Sequence, residues 1–209
     1  MKLEPIITSL LETDLYKFSM GQAIYHQFAS YKTNWTFKCR NEGVKFDSQM
    51  VEEIKDQIKH FCSLKFTEDE LNYLKKIEWL HEDYIDHLRL WNARYEDFTI
   101  STDSECGFAL DAKGTWLNTS MYEIPVLAII NEVFFRMSYT YDSLFESYKK
   151  HLNEKTQWLI DGKYNLGNFS EFGLRRRLSA QAQDLAVKTL IENNSKYKES
   201  RCVGTSNVY

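Results

Sequence analysis

The residues with the clearest chemical potential lie in one nonapeptide, Phe169-Ser-Glu-Phe-Gly-Leu-Arg-Arg-Arg177. An apolar residue and a turn-permitting glycine run directly into three consecutive guanidinium groups. Phe172 and Arg175 are an odd number of positions apart, so on one uninterrupted strand they face opposite sides. Gly173 can adopt backbone angles closed to other residues, and a bend there would aim both side chains at one ligand. An aromatic face beside planar cationic forks suits a flat, anionic, aromatic molecule: the ring stacks, and a carboxylate or phosphate takes paired hydrogen bonds. A buried phenylalanine followed by a solvated basic loop is the plain structural alternative.

Two other stretches carry weaker chemistry. Thr13-Asp14 has the side chains of a helix start, and Tyr16 falls in the first turn beside the positive end of the helix dipole. A tyrosine half-buried in packing is the competing reading of Tyr16. Gly204-Thr-Ser-Asn-Val-Tyr209 reads as a strand-end loop entering a helix, an arrangement friendly to phosphate, with a single glycine and no Walker lysine.

Composition limits the partners. The chain has 209 residues, 43% of them hydrophobic, and a net charge of -4, so Arg175 to Arg177 form a local positive island on a mildly acidic protein. A nucleic-acid coat needs a broader basic surface, and the island fits a small anion better. No apolar run reaches the roughly 20 residues needed to cross a bilayer, so no membrane partner is expected. Cys39, Cys62, Cys106 and Cys202 lack metal-ligand or redox-pair spacing and read as thiols of a reducing compartment, which points to a cytoplasmic protein. No metal site is expected from them.

The elements that must position these residues follow from periodicity. A helix is expected from Thr13-Asp14 to about residue 29. Trp35, Phe37 and Cys39 alternate with Thr36, Lys38 and Arg40, which makes 33–40 a strand. A helix begins at Ser48, with Val51, Ile54, Ile58 and Phe61 spaced three and four apart. Thr67-Glu-Asp-Glu70 is a capping box for the next helix, and a third covers 82–91. Strand candidates follow at 98–102, 105–110 and 115–119, with Asp111-Ala-Lys-Gly114 as a turn. An apolar helix opens at Glu123 with Pro125 in its first turn. A long amphipathic helix covers 142–160, a loop 161–168, a helix 179–192 and a short strand 200–203. The order implies an α+β N-terminal domain over 1–120, followed over 121–209 by a helical connection and strand–helix–strand units with parallel strands.

Three stretches in register, Thr13-Asp-Leu-Tyr-Lys-Phe-Ser-Met20, Phe169 to Arg177 and Gly204 to Tyr209, resemble the nicotinate phosphoribosyltransferase family. Trp35-Thr-Phe-Lys-Cys-Arg-Asn41 and Tyr122-Glu-Ile-Pro-Val-Leu-Ala128 also look like family sequence. The likeness covers essentially the whole chain, which corresponds to about the front half of the family's length. Leu174 stands where many relatives have threonine, and Phe18-Ser19 replaces a commoner Leu-Thr.

The resemblance implies a fold in which the N-terminal α+β domain precedes the first strands and helices of an irregular α/β barrel, with the site in loops at the strand ends. It implies an enzyme joining nicotinate to phosphoribosyl pyrophosphate, coupled to ATP, with Mg2+ on the pyrophosphate. Phe172 becomes one face of a sandwich around the pyridine ring. Tyr16 becomes the other face, supplied by the second subunit of a homodimer with shared active sites. Arg175 would hold the nicotinate carboxylate or a neighbouring phosphate, and Arg176 would serve the phosphoribosyl side. Asp14 either acts through a water or caps its helix. Thr205 and Ser206 belong to the substrate loop, where nicotinamide-using cousins carry aspartate in place of Ser206. A serine tolerates a carboxylate substrate that an aspartate repels. The family's phosphorylated catalytic histidine is expected downstream of these residues, so His26, His60, His81, His87 and His151 are assigned no catalytic role. The competing expectations are a truncated or non-catalytic homologue, or a related enzyme using nicotinamide or quinolinate.

Overall fold

In the computed structural model, which describes residues 2–103, 106–164, 167–198 and 200–205, the alternation around Trp35 becomes an edge of a three-stranded antiparallel sheet. β1 (Lys32–Thr36) and β2 (Phe98–Asp103) flank the central β3 (Gly107–Thr115). Trp35 and Phe98 both stand opposite Ala112, so a small residue on the central strand separates two large rings. β1 ends before residue 40, although the Phe37 amide still donates to the Leu110 carbonyl at 2.8 Å. At Gly107 the backbone sits at φ 102°, and a Cβ there would lie 2.1 Å from the Phe46 carbonyl oxygen. Both angle and space demand glycine.

The strand expected at 105–110 is present from Gly107 and runs on to Thr115, while the expected turn at 111–114 and strand at 115–119 are corrected by the structure. Asp111 to Gly114 stays in register with β1, so one long strand replaces a turn. Thr115 then ends the strand and caps a helix: its hydroxyl accepts from the Asn118 amide at 3.2 Å. The helix, α5 (Trp116–Ser138), therefore opens before Glu123, and Pro125 lies inside it rather than in its first turn.

Around α5 pack α1 (Leu15–Gln27), α2 (Ser48–Ser63) and both β1 and β3. Asp47 caps α2 by accepting from the Met50 amide at 2.8 Å. α3 (Glu68–Leu74) has the full capping box of Thr67 and Glu70, and α4 (Glu82–Leu90) follows. Phe18, Ile54, Leu71, Tyr84, Phe108 and Tyr122 form the buried centre of this core, which extends along α5 to Val133. Because neighbours cover α5 on several sides, most of its residues between Leu117 and Val133 are buried.

Beyond α6 (Tyr141–Ile160) come β4 (Gly167–Glu171), a 3-10 turn over Leu174–Arg176, α7 (Ala180–Glu192), a second 3-10 turn over Asn194–Lys196 and β5 (Ser200–Thr205). β4 and β5 pair in parallel, so the stretch between them containing α7 is the crossover that a parallel pair needs. Leu159, Tyr197 and Cys202 form a small separate apolar cluster here. Among the described residues no helix is long and apolar enough to cross a membrane.

Candidate active site

Two elements far apart in sequence meet on α5. The start of α1 brings Asp14 and Tyr16, and the turn after β4 brings Phe172 and Arg175. That turn is anchored to α5 by buried Leu174 and by Asn131, whose side-chain amide donates to the carbonyls of Arg176 at 3.1 Å and Arg177 at 2.7 Å. The rings of Tyr16 and Phe172 consequently face each other, with centroids 6.0 Å apart and planes 20° from parallel. Both stay open to solvent, at 37% and 52% exposure.

Gly173 works differently from the expected hinge. Its backbone has ordinary right-handed angles, φ -93° and ψ -6°. What it lacks is room: a Cβ would sit 2.5 Å from Glu171 Oε1. That oxygen accepts from the Gly173 amide, and Glu171 Oε2 accepts from Gln183 Nε2, both at 2.5 Å. A carboxylate folded back over residue 173 thus ties the turn to α7.

The expected positive island is also corrected. Arg177 is turned inward and only 4% exposed. Its Nη2 lies 2.7 Å from Glu12 Oε2, and its Nε is 3.7 Å from Glu132 Oε2. Arg175 is partly neutralised as well: its Nη1 is 3.1 Å from Glu123 Oε1, and its Nη2 is 4.0 Å from Asp14 Oδ2. Lys17 Nζ holds the other Glu123 oxygen at 2.6 Å and lies 5.0 Å from the centroid of the Tyr16 ring. Two cations and two carboxylates therefore balance beside the aromatic pair, and Arg176 is the exposed guanidinium of the three. Asp14 occupies the N-cap position of α1, its carbonyl accepting from the Lys17 amide at 2.8 Å, without a side-chain capping hydrogen bond.

Next to Arg175 opens a cleft of ≈ 640 Å³ between residues 35–46, α5 and the arginine turn. Its lining combines apolar Phe46, Leu127 and Ile130 with basic Lys38, Arg40 and Arg176. A flat ring can bind at the aromatic pair, and an anionic group can reach Arg175 or the basic side chains of the cleft.

The resemblance implies a Tyr16 supplied by a second subunit, whereas the geometry offers one from the same chain. Tyr16 and Phe172 of one chain already face each other, because α1 and the 3-10 turn share α5 as a platform.

The family model described as the nicotinate phosphoribosyltransferase N-terminal domain matches residues 11–131, more than half of the chain. The chain belongs to this family. Nicotinate phosphoribosyltransferase of Ralstonia pickettii is 37% identical over 207 residues, covering 98% of this chain and 51% of the relative. That of Cupriavidus necator is 36% identical over 206 residues, with the same coverage of each. The chain thus spans about half the length of the curated relatives it matches. Among solved structures, nicotinate phosphoribosyltransferase of Porphyromonas gingivalis superposes with a TM-score of 0.83 at 28% identity, covering 97% of this chain and 50% of that one. The Vibrio cholerae enzyme gives 0.83 at 25%, covering 99% and 49%.

Within this family member, the structure brings together Asp14, Tyr16, Phe172 and Arg175, and sets Arg176 at the adjoining cleft. The side chain of Thr205 and the whole of Ser206 lie outside the described residues. Lys17 and Glu123 were missed from sequence. Each sits in a quoted motif, beside Tyr16 and before Pro125, but a lysine on α1 and a glutamate on α5 give no sign of pairing until the two helices pack. The five histidines lie elsewhere: His26 meets Asp83 and packs near His81, His60 is in the last turn of α2, His87 packs near Tyr25 and Tyr84, and His151 bonds within α6.

Proposed function

We propose that this chain supplies the nicotinate-binding part of a nicotinate phosphoribosyltransferase, which joins nicotinate to phosphoribosyl pyrophosphate in an ATP-coupled reaction giving nicotinate mononucleotide. The observation that carries the reading is the Tyr16–Phe172 ring pair with Arg175 beside it. The pyridine ring stacks between the two aromatics and its carboxylate turns toward Arg175. A ring held on both faces needs walls about 7 Å apart, two contacts of ~3.5 Å each, so the exposed side chains move apart by roughly 1 Å on binding. The pyridine nitrogen then attacks the anomeric carbon, forming the N–C bond as the bond to the pyrophosphate oxygen breaks. The sugar passes through cationic character of the kind met in glycoside chemistry.

This chain's contribution to that step is alignment. The ring is fixed by stacking and the carboxylate by a guanidinium that Glu123 and Asp14 hold in place. Arg176, with Lys38 and Arg40, serves the phosphoribosyl side of the cleft. Magnesium fits as a companion of the pyrophosphate rather than as an ion of this slot, since Asp14 and Glu123 face Arg175 and Lys17. β4, α7 and β5 are the opening unit of a barrel in this reading, supported by their parallel pairing. A homodimer remains part of it as an assembly, with both slot walls in one chain.

Labelled nicotinate, nicotinamide and quinolinate, each with phosphoribosyl pyrophosphate and with or without ATP, test the reading. Tighter binding of nicotinate than of either alternative is expected. Preference for nicotinamide or quinolinate, or binding of none of the three, overturns it.

A further inference from the structure

Arg177 is the motif arginine that reaches no ligand surface, and its surroundings give it a different task. It sits in a cluster of two acids and two bases, of which Glu12, Glu132 and Arg177 are buried and Arg136 is half-buried. Its Nη2 is 2.7 Å from Glu12 Oε2 and donates to the Ile6 carbonyl at 2.9 Å, 171 residues away along the chain. Its Nε faces Glu132 at 3.7 Å, and the other Glu132 oxygen is 2.5 Å from Arg136 Nη2. The side chains of Glu12, Glu132 and Arg177 are each no more than 2% exposed.

Glu12 also gathers the loop before α1. Its Oε1 accepts from the Thr8 amide at 2.7 Å, the Thr8 hydroxyl at 2.9 Å and the Ser9 amide at 3.1 Å. Thr13, Asp14 and Tyr16 follow immediately. The apolar side chains of Ile6, Ile7, Leu10 and Leu11 bury this loop in the core, but apolar burial is non-directional. The Arg177 guanidinium adds direction through its hydrogen bond to the Ile6 carbonyl, with Glu12 as its ion-pair partner.

We propose that Arg177 is a positioning residue that clamps the loop before α1 to the 169–177 turn and so sets the alignment of Tyr16 with Phe172. This rests on the functional reading for its binding consequence but not for its structural one. The clamp is neutral overall, so removing one matched pair leaves no buried unpaired charge. Glu12→Gln keeps an oxygen for the Thr8 and Ser9 donors, and Arg177→Met keeps most of the buried volume.

The test uses the full chain as wild type, as the double variant Glu12→Gln/Arg177→Met, and as Arg177→Lys. Amide hydrogen exchange in the double variant should rise about tenfold or more in both 8–17 and 169–177, with 48–74 unchanged. Kd for nicotinate should rise about tenfold, and Arg177→Lys should fall between wild type and the double variant. Exchange rising in one segment alone, or evenly over the chain, overturns the clamp. So does an unchanged Kd alongside the expected exchange in a protein that binds nicotinate. A wild-type chain that does not bind nicotinate overturns the functional reading instead, and the exchange pattern then judges the clamp by itself.

Discussion

The rings of Tyr16 and Phe172 face each other at 6.0 Å within one chain, although 37% and 52% of these residues remain exposed. Two solvent-facing aromatics from distant segments give up apolar burial that a core position would provide. Their exposure is explained if a flat ligand completes the stack. Tyr16→Ala and Phe172→Ala should each raise KM for nicotinate by about ten- to a hundredfold, the scale of one lost aromatic contact of ~1–3 kcal/mol. Mixing the two variants should restore no activity, because both walls belong to one chain. Partial recovery in mixed oligomers would return Tyr16 to the neighbouring subunit.

Arg175 differs from a free guanidinium waiting for an anion. Glu123 holds it at 3.1 Å, and the same carboxylate holds Lys17, whose side chain is only 4% exposed, at 2.6 Å. Arg175→Ala should raise KM for nicotinate about ten- to a hundredfold, as expected for a charged hydrogen bond of roughly 1.5–3 kcal/mol. Glu123→Gln should lower stability by ~1–3 kcal/mol in urea titration, because Lys17 keeps its charge and loses its carboxylate. An unchanged midpoint would show that Lys17 does not depend on that pair.

Gly21 faces Tyr84 where α1 crosses α4. A Cβ at residue 21 would lie 2.1 Å from the Tyr84 hydroxyl oxygen, which is buried with no hydrogen-bond partner among the described residues. Gly21→Ala should therefore destabilise by ~1–3 kcal/mol through overpacking, despite the ~1 kcal/mol that alanine gains over glycine in a helix. Adding Tyr84→Phe removes the obstructing oxygen and should restore most of the loss. A double variant no better than Gly21→Ala would show that the ring, not the hydroxyl, sets the contact.

Cys62 should be nearly inert. Burial, with Asp97 and Glu96 adding to it, pushes its thiol up to about 12 from an ordinary 9.0. That leaves about a thousandth of the thiolate an ordinary thiol carries at pH 8, and the thiolate is the reacting form. Alkylation at pH 8 should be more than about a hundredfold slower in the folded chain than in urea. Similar rates in both would contradict the shielding of this half-buried thiol.

The capping box at Thr67 and Glu70 was legible from residue type and spacing, and the parallel strands around α7 from the strand–helix–strand order. Thr115 was misread because a β-branched residue serves a strand and a helix cap equally well, and its role is fixed only by the Asn118 amide. Phe172, Tyr16 and Arg175 were legible through their motifs. Lys17 and Glu123 were not, since ion pairs between helices leave no spacing in the chain. Arg177 shows the same limit from the other side: three identical neighbours in sequence point to a clamp, a cleft and a buried cluster, and only the turn over Leu174–Arg176 separates them.

The central claim is a ring slot within one chain, and a crystal structure of the chain with nicotinate tests it most directly. The account predicts the pyridine ring between Tyr16 and Phe172 of the same chain, their centroids parted to about 7 Å, with the carboxylate within hydrogen-bond distance of Arg175. Nicotinate bound away from Phe172, or stacked there against a tyrosine from another chain, would contradict it.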